Sequence, residues 1–292
     1  MKKLILLLFY LLHFLPISVL HAMAWIIGNL AYCFAKKRRK IGQINLALCF
    51  PEQSSLERKR ILKKNFYHIA CMLLEYSICW YSHPKRIKKL VNFENFEILQ
   101  NLCKDNIQLT ILYPHFCALE LGALRLNLEY PIISVFTEQK DPQINQQIYK
   151  GRIRFNNINS VHLICRNNKI ISIIHQLKES TALFLYLPDQ DFGRKDSVFV
   201  PFFNIPTATT TGVSRISQIT NRKVLPVIPI RHGNKITLKV LPLINSIPSC
   251  NAIEDTKEIS LLIERVIREH PEQYFWLHKR FKTRPNNENS VY

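Results

Sequence analysis

The sequence predicts an α/β protein with a mostly parallel or mixed central sheet flanked by helices and an N-terminal membrane-anchoring helix. Two observations predict this architecture. After about residue 105, short apolar runs typical of buried strands alternate with stretches of helical periodicity. Before that region, residues 4–35 carry no formal charge, whereas about 20 apolar residues suffice to span a bilayer.

The composition limits the classes of protein that this chain can belong to. Its 292 residues include 40 Lys and Arg against 21 Asp and Glu, a net charge of +19, and 47% of them are hydrophobic. That apolar content is enough for a core, so the charge predicts an anionic partner rather than disorder. The seven glycines never take the spacing of a dinucleotide-binding loop or a Walker motif, which excludes the standard forms of both.

The eight cysteines are scattered without a C-x-x-C pair or a neighbouring histidine at ligand spacing. They are typical of small buried apolar residues in a reducing compartment. We therefore expect a body that faces the cytosol and no disulfide framework.

The apolar amino-terminal run is interrupted at Pro16, which permits one kinked span or a re-entrant or interfacial pair of helices. Lys2 and Lys3 precede it and five cations follow at 36–40, a distribution that favours a cytoplasmic body. The alternative is a secretory signal peptide cleaved after Ala22-Met23-Ala24. We expect an anchor with its basic flank at 1–40, a single α/β domain at 41–284 and a polar tail at 285–292.

The elements follow in order from a cationic amphipathic helix that begins at Ser55. The later helices are predicted at about 117–128, 142–155, 169–178 and 210–220, and a last amphipathic helix carries Ile259 and Ile263. The strands are predicted at 107–113, 132–136, 161–164, 181–187, 224–230 and 235–241. In such sheets, ligands bind outside the carboxyl ends of the strands.

A histidine and a glutamate follow the first of these strands. His115 stands at its end and Glu120 lies five positions later. Five residues on a continuous helix correspond to about 140° of rotation, so the two side chains can pair only if His115 precedes the helix. Such a pair suits acyl transfer to a hydroxyl, in which neutral His takes the proton and Glu holds its tautomer. A structural histidine remains the alternative, and we expect the nearby Cys117 to be buried rather than nucleophilic.

Two aspartates follow the strand predicted at 181–187. Asp189 and Asp191 could hold a divalent metal against a nucleotide-sugar, as in a glycosyltransferase. They could equally form a turn with Gly193, since Asp bonds to nearby backbone and Gly accepts positive φ.

Arg152 and Arg154 stand two positions apart and can bind phosphate or stabilise an oxyanion, although such a pair is often only a solvated face. Aromatic and cationic residues alternate at 273–284. They are compatible with stacking on nucleic acid or with an aromatic face packed on the core.

Taken in order, these segments resemble the late lipid A acyltransferases of Gram-negative bacteria, the lauroyl, myristoyl and palmitoleoyl transferase family. The resemblance spans nearly the whole chain. Besides the apolar anchor and the cations at 36–40, the matching blocks are Ile41 to Asn45, His115 to Glu120, Gly151 to Arg154, Pro188 to Asp191, Val198 to Phe203, Thr209 to Gly212 and Gln273 to Arg280. The residues after His115, Phe116-Cys117-Ala118-Leu119, depart from the Asn-Trp that the family often has.

The resemblance implies transfer of a fatty acyl chain from acyl carrier protein to a hydroxyl of a Kdo-bearing lipid A precursor, without cofactor or metal. It implies that His115 is the general base and Glu120 its partner. Arg152 or Arg154 would be the oxyanion or phosphate ligand, and Asp189 or Asp191 a structural or substrate-orienting carboxylate. The expected partners are acyl carrier protein, the anionic lipid A precursor and the cytoplasmic face of the inner membrane, with no nucleic acid.

Three other functions remain open at the level of sequence. One is acyl transfer to another glycolipid or a glycerolipid, which would share every catalytic residue. The second is a metal-dependent membrane glycosyltransferase that uses Asp189 and Asp191. The third is a membrane-tethered lipid or nucleic-acid binder, in which only the positive charge would matter.

Overall fold

The computed structural model describes residues 2–165, 170–195, 197–286 and 288–292. The strands are β1 (Val91–Glu94), β2 (Leu109–Leu112), β3 (Ile132–Phe136), β4 (Val161–Cys165), β5 (Leu183–Tyr186), β6 (Val198–Phe202), β7 (Ile205–Thr209), β8 (Lys223–His232) and β9 (Lys235–Val240). The helices are α1 (Lys2–Leu12), α2 (Ile17–Phe34), α3 (Lys36–Cys49), α4 (Ser55–Tyr81), α5 (Pro84–Leu90), α6 (Phe96–Lys104), α7 (Leu119–Asn127), α8 (Pro142–Ile153), α9 (Ile170–Lys178), α10 (Gly212–Ile219) and α11 (Ala252–Glu269).

The centre of the molecule is a seven-stranded sheet with strand order β1-β9-β8-β2-β5-β3-β4. All neighbouring strands in this sheet run parallel except β8 and β9. Those two are joined by Gly233 and Asn234 alone, and so short a connection permits only an antiparallel pair. The mostly parallel sheet with flanking helices confirms the predicted fold class.

The six predicted strands and the main predicted helices are all present, with ends that differ by a few residues. The start of the helix predicted at 169 lies outside the described residues. The prediction omitted α3, α5, α6, β1 and the hairpin β6–β7. Of these, β1 has only four residues, so its alternation of apolar and polar side chains is too short to stand out in the sequence.

The amino-terminal apolar run forms two helices, α1 and α2, that meet at Pro16. By length and composition, α2 is the one described helix that could cross a membrane. One face of α2 packs along α4 through a buried residue at every fourth position, namely Leu20, Ala24, Gly28 and Tyr32. A Cβ at Gly28 would lie 2.8 Å from the Cα of Tyr67, so this close approach requires glycine.

Helix α4 begins with a capping box formed by Ser54 and Glu57. Its buried positions share a core with α2, α7 and strands β2, β5 and β8. A second core lies under α3, α11 and the carboxyl-terminal segment. The last residue, Tyr292, accepts a hydrogen bond from the Phe281 N–H at 3.1 Å and contacts Asn45 of α3.

Candidate active site

Two neighbouring parallel strands end side by side and place His115 opposite Asp189. Leu112, the last residue of β2, pairs with Tyr186, the last residue of β5. Each strand is followed by one residue, a proline and then the functional residue, so His115 and Asp189 both stand three positions beyond this pair. Equal offsets from an aligned register bring the two residues together at the carboxyl edge of the sheet.

The Asp189 carboxylate holds His115 through two hydrogen bonds. Its Oδ1 accepts from the Nδ1–H of the ring at 2.8 Å, and its Oδ2 accepts from the backbone N–H of His115 at 2.9 Å. With Nδ1 protonated, Nε2 of the neutral ring carries the lone pair. No described residue bonds to Nε2, and the His115 side chain is 19% exposed. The ring therefore presents a proton acceptor at the edge of the site.

Asp189 is fully buried, and burial alone would raise its pKa. The His115 ring, the His115 backbone N–H and the Arg280 guanidinium overcome that effect and lower the pKa of Asp189 below its usual value. The carboxylate is therefore ionised at neutral pH and favours a proton on Nδ1.

The carboxyl-terminal segment holds the backbone around His115. Phe275 donates its N–H to the His115 carbonyl at 3.0 Å, and Cys117 donates to the Gln273 carbonyl at 2.8 Å. The Tyr274 hydroxyl donates to the backbone carbonyl of Asp189 at 3.1 Å. The aromatic residues of the 273–284 stretch thus pack on the core, as one of the two sequence interpretations predicted.

Asp191 lies beside this pair but has other partners. Its carboxylate accepts from the Gly193 N–H at 2.9 Å, and from the backbone and hydroxyl of Thr283 at 2.6 and 2.8 Å. Gly193 has a φ of +91°, as expected for a turn. His278 accepts the Asp191 backbone N–H at 3.2 Å. These contacts fasten the loop after β5 to the carboxyl-terminal segment.

Glu120, in the first turn of α7, belongs to a second network. Arg152 of α8 donates from Nε to Glu120 Oε2 at 3.2 Å and from Nη2 to Oε1, a bidentate ion pair. The Tyr76 hydroxyl of α4 donates to the same Oε1 at 3.2 Å. The sequence predicts that Glu120 pairs directly with His115, but Nδ1 of His115 is bonded to Asp189 instead. The reason is that sheet register aligns Asp189 with His115, whereas Glu120 points toward α4 and α8.

The two arginines of the Gly151-Arg-Ile-Arg154 block have different environments. Arg154 donates to the Cys79 carbonyl at 2.8 Å and to the carbonyls of Ile78 and Ser82, at the end of α4. Arg152 is 30% exposed on its side chain and has N–H groups beyond those that bind Glu120. Of the two arginines, only Arg152 is joined to Glu120.

Cys117 is buried, and burial raises the pKa of its thiol well above the usual range. A thiol held neutral in this way is a poor nucleophile. Among the described residues, no group of three or more His, Cys, Asp or Glu side chains is arranged to hold a metal ion.

The strand ends thus bring His115 and Asp189 together, with acid–base geometry suited to proton transfer from a hydroxyl. A sequence model described as the bacterial lipid A biosynthesis acyltransferase family matches residues 2–283. The chain belongs to this family. Membership makes it an acyltransferase of lipid A biosynthesis and argues against the glycosyltransferase and the non-enzymatic alternatives.

Individual relatives agree with the family assignment. The chain is 33% identical to the lipid A biosynthesis lauroyltransferase of Escherichia coli K12 over 281 residues, covering 95% of this chain and 90% of the relative. It is 32% identical to the palmitoleoyltransferase of the same organism, with the same coverage. The myristoyltransferase of that organism is 28% identical over 272 residues, covering 91% and 82%.

Proposed function

We propose that this acyltransferase moves a fatty acyl chain from acyl carrier protein to a hydroxyl of a Kdo-bearing lipid A precursor at the cytoplasmic face of the inner membrane. The observation that carries the proposal is the geometry of His115. Its Nδ1–H is held by a buried carboxylate at 2.8 Å, and its Nε2 is unoccupied by any described residue. A histidine held in this tautomer is suited to general-base catalysis at a hydroxyl.

In the proposed reaction, Nε2 of His115 takes the proton of the acceptor hydroxyl as its oxygen attacks the thioester carbonyl. The tetrahedral intermediate collapses with cleavage of the C–S bond, and the imidazolium returns its proton to the departing thiolate. Asp189 stabilises the imidazolium while it exists. The ester forms without an acyl-enzyme, in agreement with the burial of Cys117.

Arg152 has the second role in this proposal. Glu120, which accepts a hydrogen bond from the Tyr76 hydroxyl, fixes one side of the Arg152 guanidinium. The remaining N–H groups of Arg152 can bind the thioester oxyanion or a substrate phosphate. Glu120 thereby acts through Arg152, and Asp189 takes the part that the sequence analysis gave to Glu120.

The charge of the chain supports the proposed substrates. Acyl carrier protein is acidic and lipid A precursors carry phosphates, so a net charge of +19 favours encounter with both. Acyl transfer to another glycolipid or a glycerolipid would use the same chemistry, so acceptor identity needs a direct test.

The test incubates a tetra-acylated Kdo-bearing lipid A precursor with membranes that contain the protein, in the presence of a chelator. The donor is acyl carrier protein loaded with acyl chains of several lengths, and the product is detected by mass spectrometry. We expect a mass gain of one acyl group with wild type and none with His115→Ala. His162→Ala, at an exposed histidine of β4, is the matched control and should retain activity. Acylation of phosphatidylglycerol but not of the lipid A precursor would overturn the proposed acceptor.

A further inference from the structure

Both ends of α2 are fastened to the folded body. Where α1 gives way to α2, Arg86 of α5 donates to the carbonyl of Leu15 at 2.5 Å and to that of His13. At the other end, Arg39 of α3 donates to the carbonyl of Tyr32 at 2.9 Å. An 18-residue helix is about 27 Å long. If α2 crossed a bilayer, the body could not reach both ends from one side.

The middle of α2 is also held by polar contacts. His21 is buried, with Nε2 2.9 Å from Glu75 Oε1 and Nδ1 3.1 Å from Asn234 Oδ1. Glu75 is in turn paired with the buried Arg231, whose Nη2 lies 2.8 Å from Oε2. A helix surrounded by lipid would lose these partners and leave buried charges exposed to hydrocarbon or unpaired.

The opposite side of α1 and α2 is apolar and exposed. We call it the outer face. Six of its residues, in α1, in α2 and in the turn between them, are each more than half exposed, namely Leu4, Leu8, Phe14, Trp25, Leu30 and Phe34. Soluble monomers rarely leave so large a contiguous apolar surface in water. The surface therefore requires an apolar environment on one side only.

The charges beside this face indicate which environment that is. Residues 4–35 carry no formal charge, and exposed Lys36, Lys37 and Lys40 follow directly. Lys63 and Lys64 are exposed on α4, the helix against which α2 packs. An apolar helical face bordered by cations is typical of helices that lie in the interface of an anionic bilayer.

We propose that α1 and α2 lie in the plane of an anionic phospholipid leaflet. The outer face enters the boundary between headgroups and acyl chains. The amino and carboxyl termini of the chain then lie on the same side of the membrane as the folded body. This arrangement deepens the proposed function and rests on it for one point only, that the leaflet supplies the lipid acceptor.

Contacts near the active site agree with that source. Phe9 of α1 packs on Trp80 with ring centroids 5.0 Å apart. Trp80 in turn covers Gly151, where a Cβ would lie 2.3 Å from its ring. Two side chains, Phe9 and Trp80, therefore connect α1 to the backbone beside Arg152. A lipid acceptor could reach the site while most of it stays in the leaflet.

The deciding experiment measures which side of the membrane each terminus occupies. The four cysteines that are not buried (Cys33, Cys103, Cys165 and Cys250) are replaced by serine, and one reporter cysteine is placed before Met1 or, as the control, after Tyr292. A membrane-impermeant maleimide is applied to spheroplasts and to inverted inner-membrane vesicles. We expect both reporters to be labelled from the same side. Labelling of the two reporters from opposite sides would overturn the proposal.

A second measurement tests the occupant of the outer face. Purified protein is sedimented with vesicles of phosphatidylglycerol and phosphatidylethanolamine. Trp25→Glu combined with Leu30→Glu should weaken vesicle binding at least tenfold, while Ile171→Glu combined with Ile253→Glu, at exposed apolar positions of α9 and α11, should not. Unchanged vesicle binding, or a change only in self-association measured by light scattering, would overturn the assignment to lipid.

Acyl transfer is measured on the same preparations, so the two proposals can fail separately. Opposite-side labelling with intact transfer would reject only the in-plane arrangement. Same-side labelling without transfer to any lipid A precursor would reject only the proposed function.

Discussion

The two hydrogen-bond networks of the active site are built in different ways. His115 and Asp189 stand 74 positions apart in the chain, and the register of two adjacent parallel strands joins them. Glu120 lies only five positions from His115, yet its partners come from helices α4 and α8. Closeness along the chain was therefore a poorer guide to the partner of His115 than equal distance from the ends of neighbouring strands.

The largest effect should follow removal of the base itself. His115→Gln keeps a polar side chain of similar length but cannot accept a proton at neutral pH, so we expect acyl transfer to fall about 10³- to 10⁴-fold. The measurement is the initial rate with saturating acyl donor, compared with His162→Gln. A loss below tenfold would remove His115 from the proposed mechanism.

Asp189→Asn should have the next largest effect. Asparagine has one carbonyl oxygen for the two His115 N–H donors that Asp189 now satisfies, so one of them would face an NH₂ group. We expect about a 10²-fold loss of kcat or more, with a changed pH–rate profile because the imidazolium loses its counter-charge. Asp189→Glu should restore part of the wild-type pH–rate profile. If Asp189 had a purely structural role, its replacement would lower stability without changing that profile.

The Glu120 network should be separable from the Asp189 network in a stability measurement. Glu120→Gln and Arg152→Gln should be strongly non-additive in the free energy of unfolding, with a coupling of about 1–2 kcal/mol. Glu120→Gln and Asp189→Asn should add to within about 0.5 kcal/mol. Coupling of the second pair as strong as that of the first would mean that the two networks form one unit.

Arg154 should matter for stability more than for catalysis. Arg154→Gln removes the hydrogen bonds to the carbonyls at the end of α4 and should lower the free energy of unfolding by about 1–2 kcal/mol. Its acyl-transfer rate, measured below the unfolding transition, should stay within about threefold of wild type, in contrast to Arg152→Gln. A larger loss of rate in a folded variant would assign Arg154 to substrate binding.

The smallest expected effect is a pH dependence of stability. Burial, followed by the charges of His115 and Arg280, lowers the pKa of His278 from 6.5 to about 4. Between these values His278 binds more protons in the unfolded chain than in the native protein, so its contribution to stability should rise with pH from about 4 to 6.5 and then level off. His278→Gln should reduce the slope of the stability curve in this range in denaturant titrations, and His175→Gln, at an exposed histidine, should leave it unchanged.

Much of the fold was predictable because the buried strands have clear apolar runs; the strand at 132–136, for example, has the bounds that the sequence predicts. The hairpin β6–β7 was missed, since Pro201 and Pro206 interrupt its apolar pattern. Of the site, the strand-end positions of His115 and Asp189 were predicted but their pairing was not. The signal that could have found it is the shared Tyr-Pro-His and Leu-Pro-Asp arrangement after two strands.

The aligned ends of β2 and β5 also affect how the protein loses activity on heating. A slip of one residue between these strands would turn one set of side chains to the opposite face and separate His115 from Asp189. Molecules with altered pairing should then be inactive rather than partly active. During heat inactivation, the rate should therefore fall while the KM of the surviving activity stays unchanged, because only molecules with the native pairing remain active.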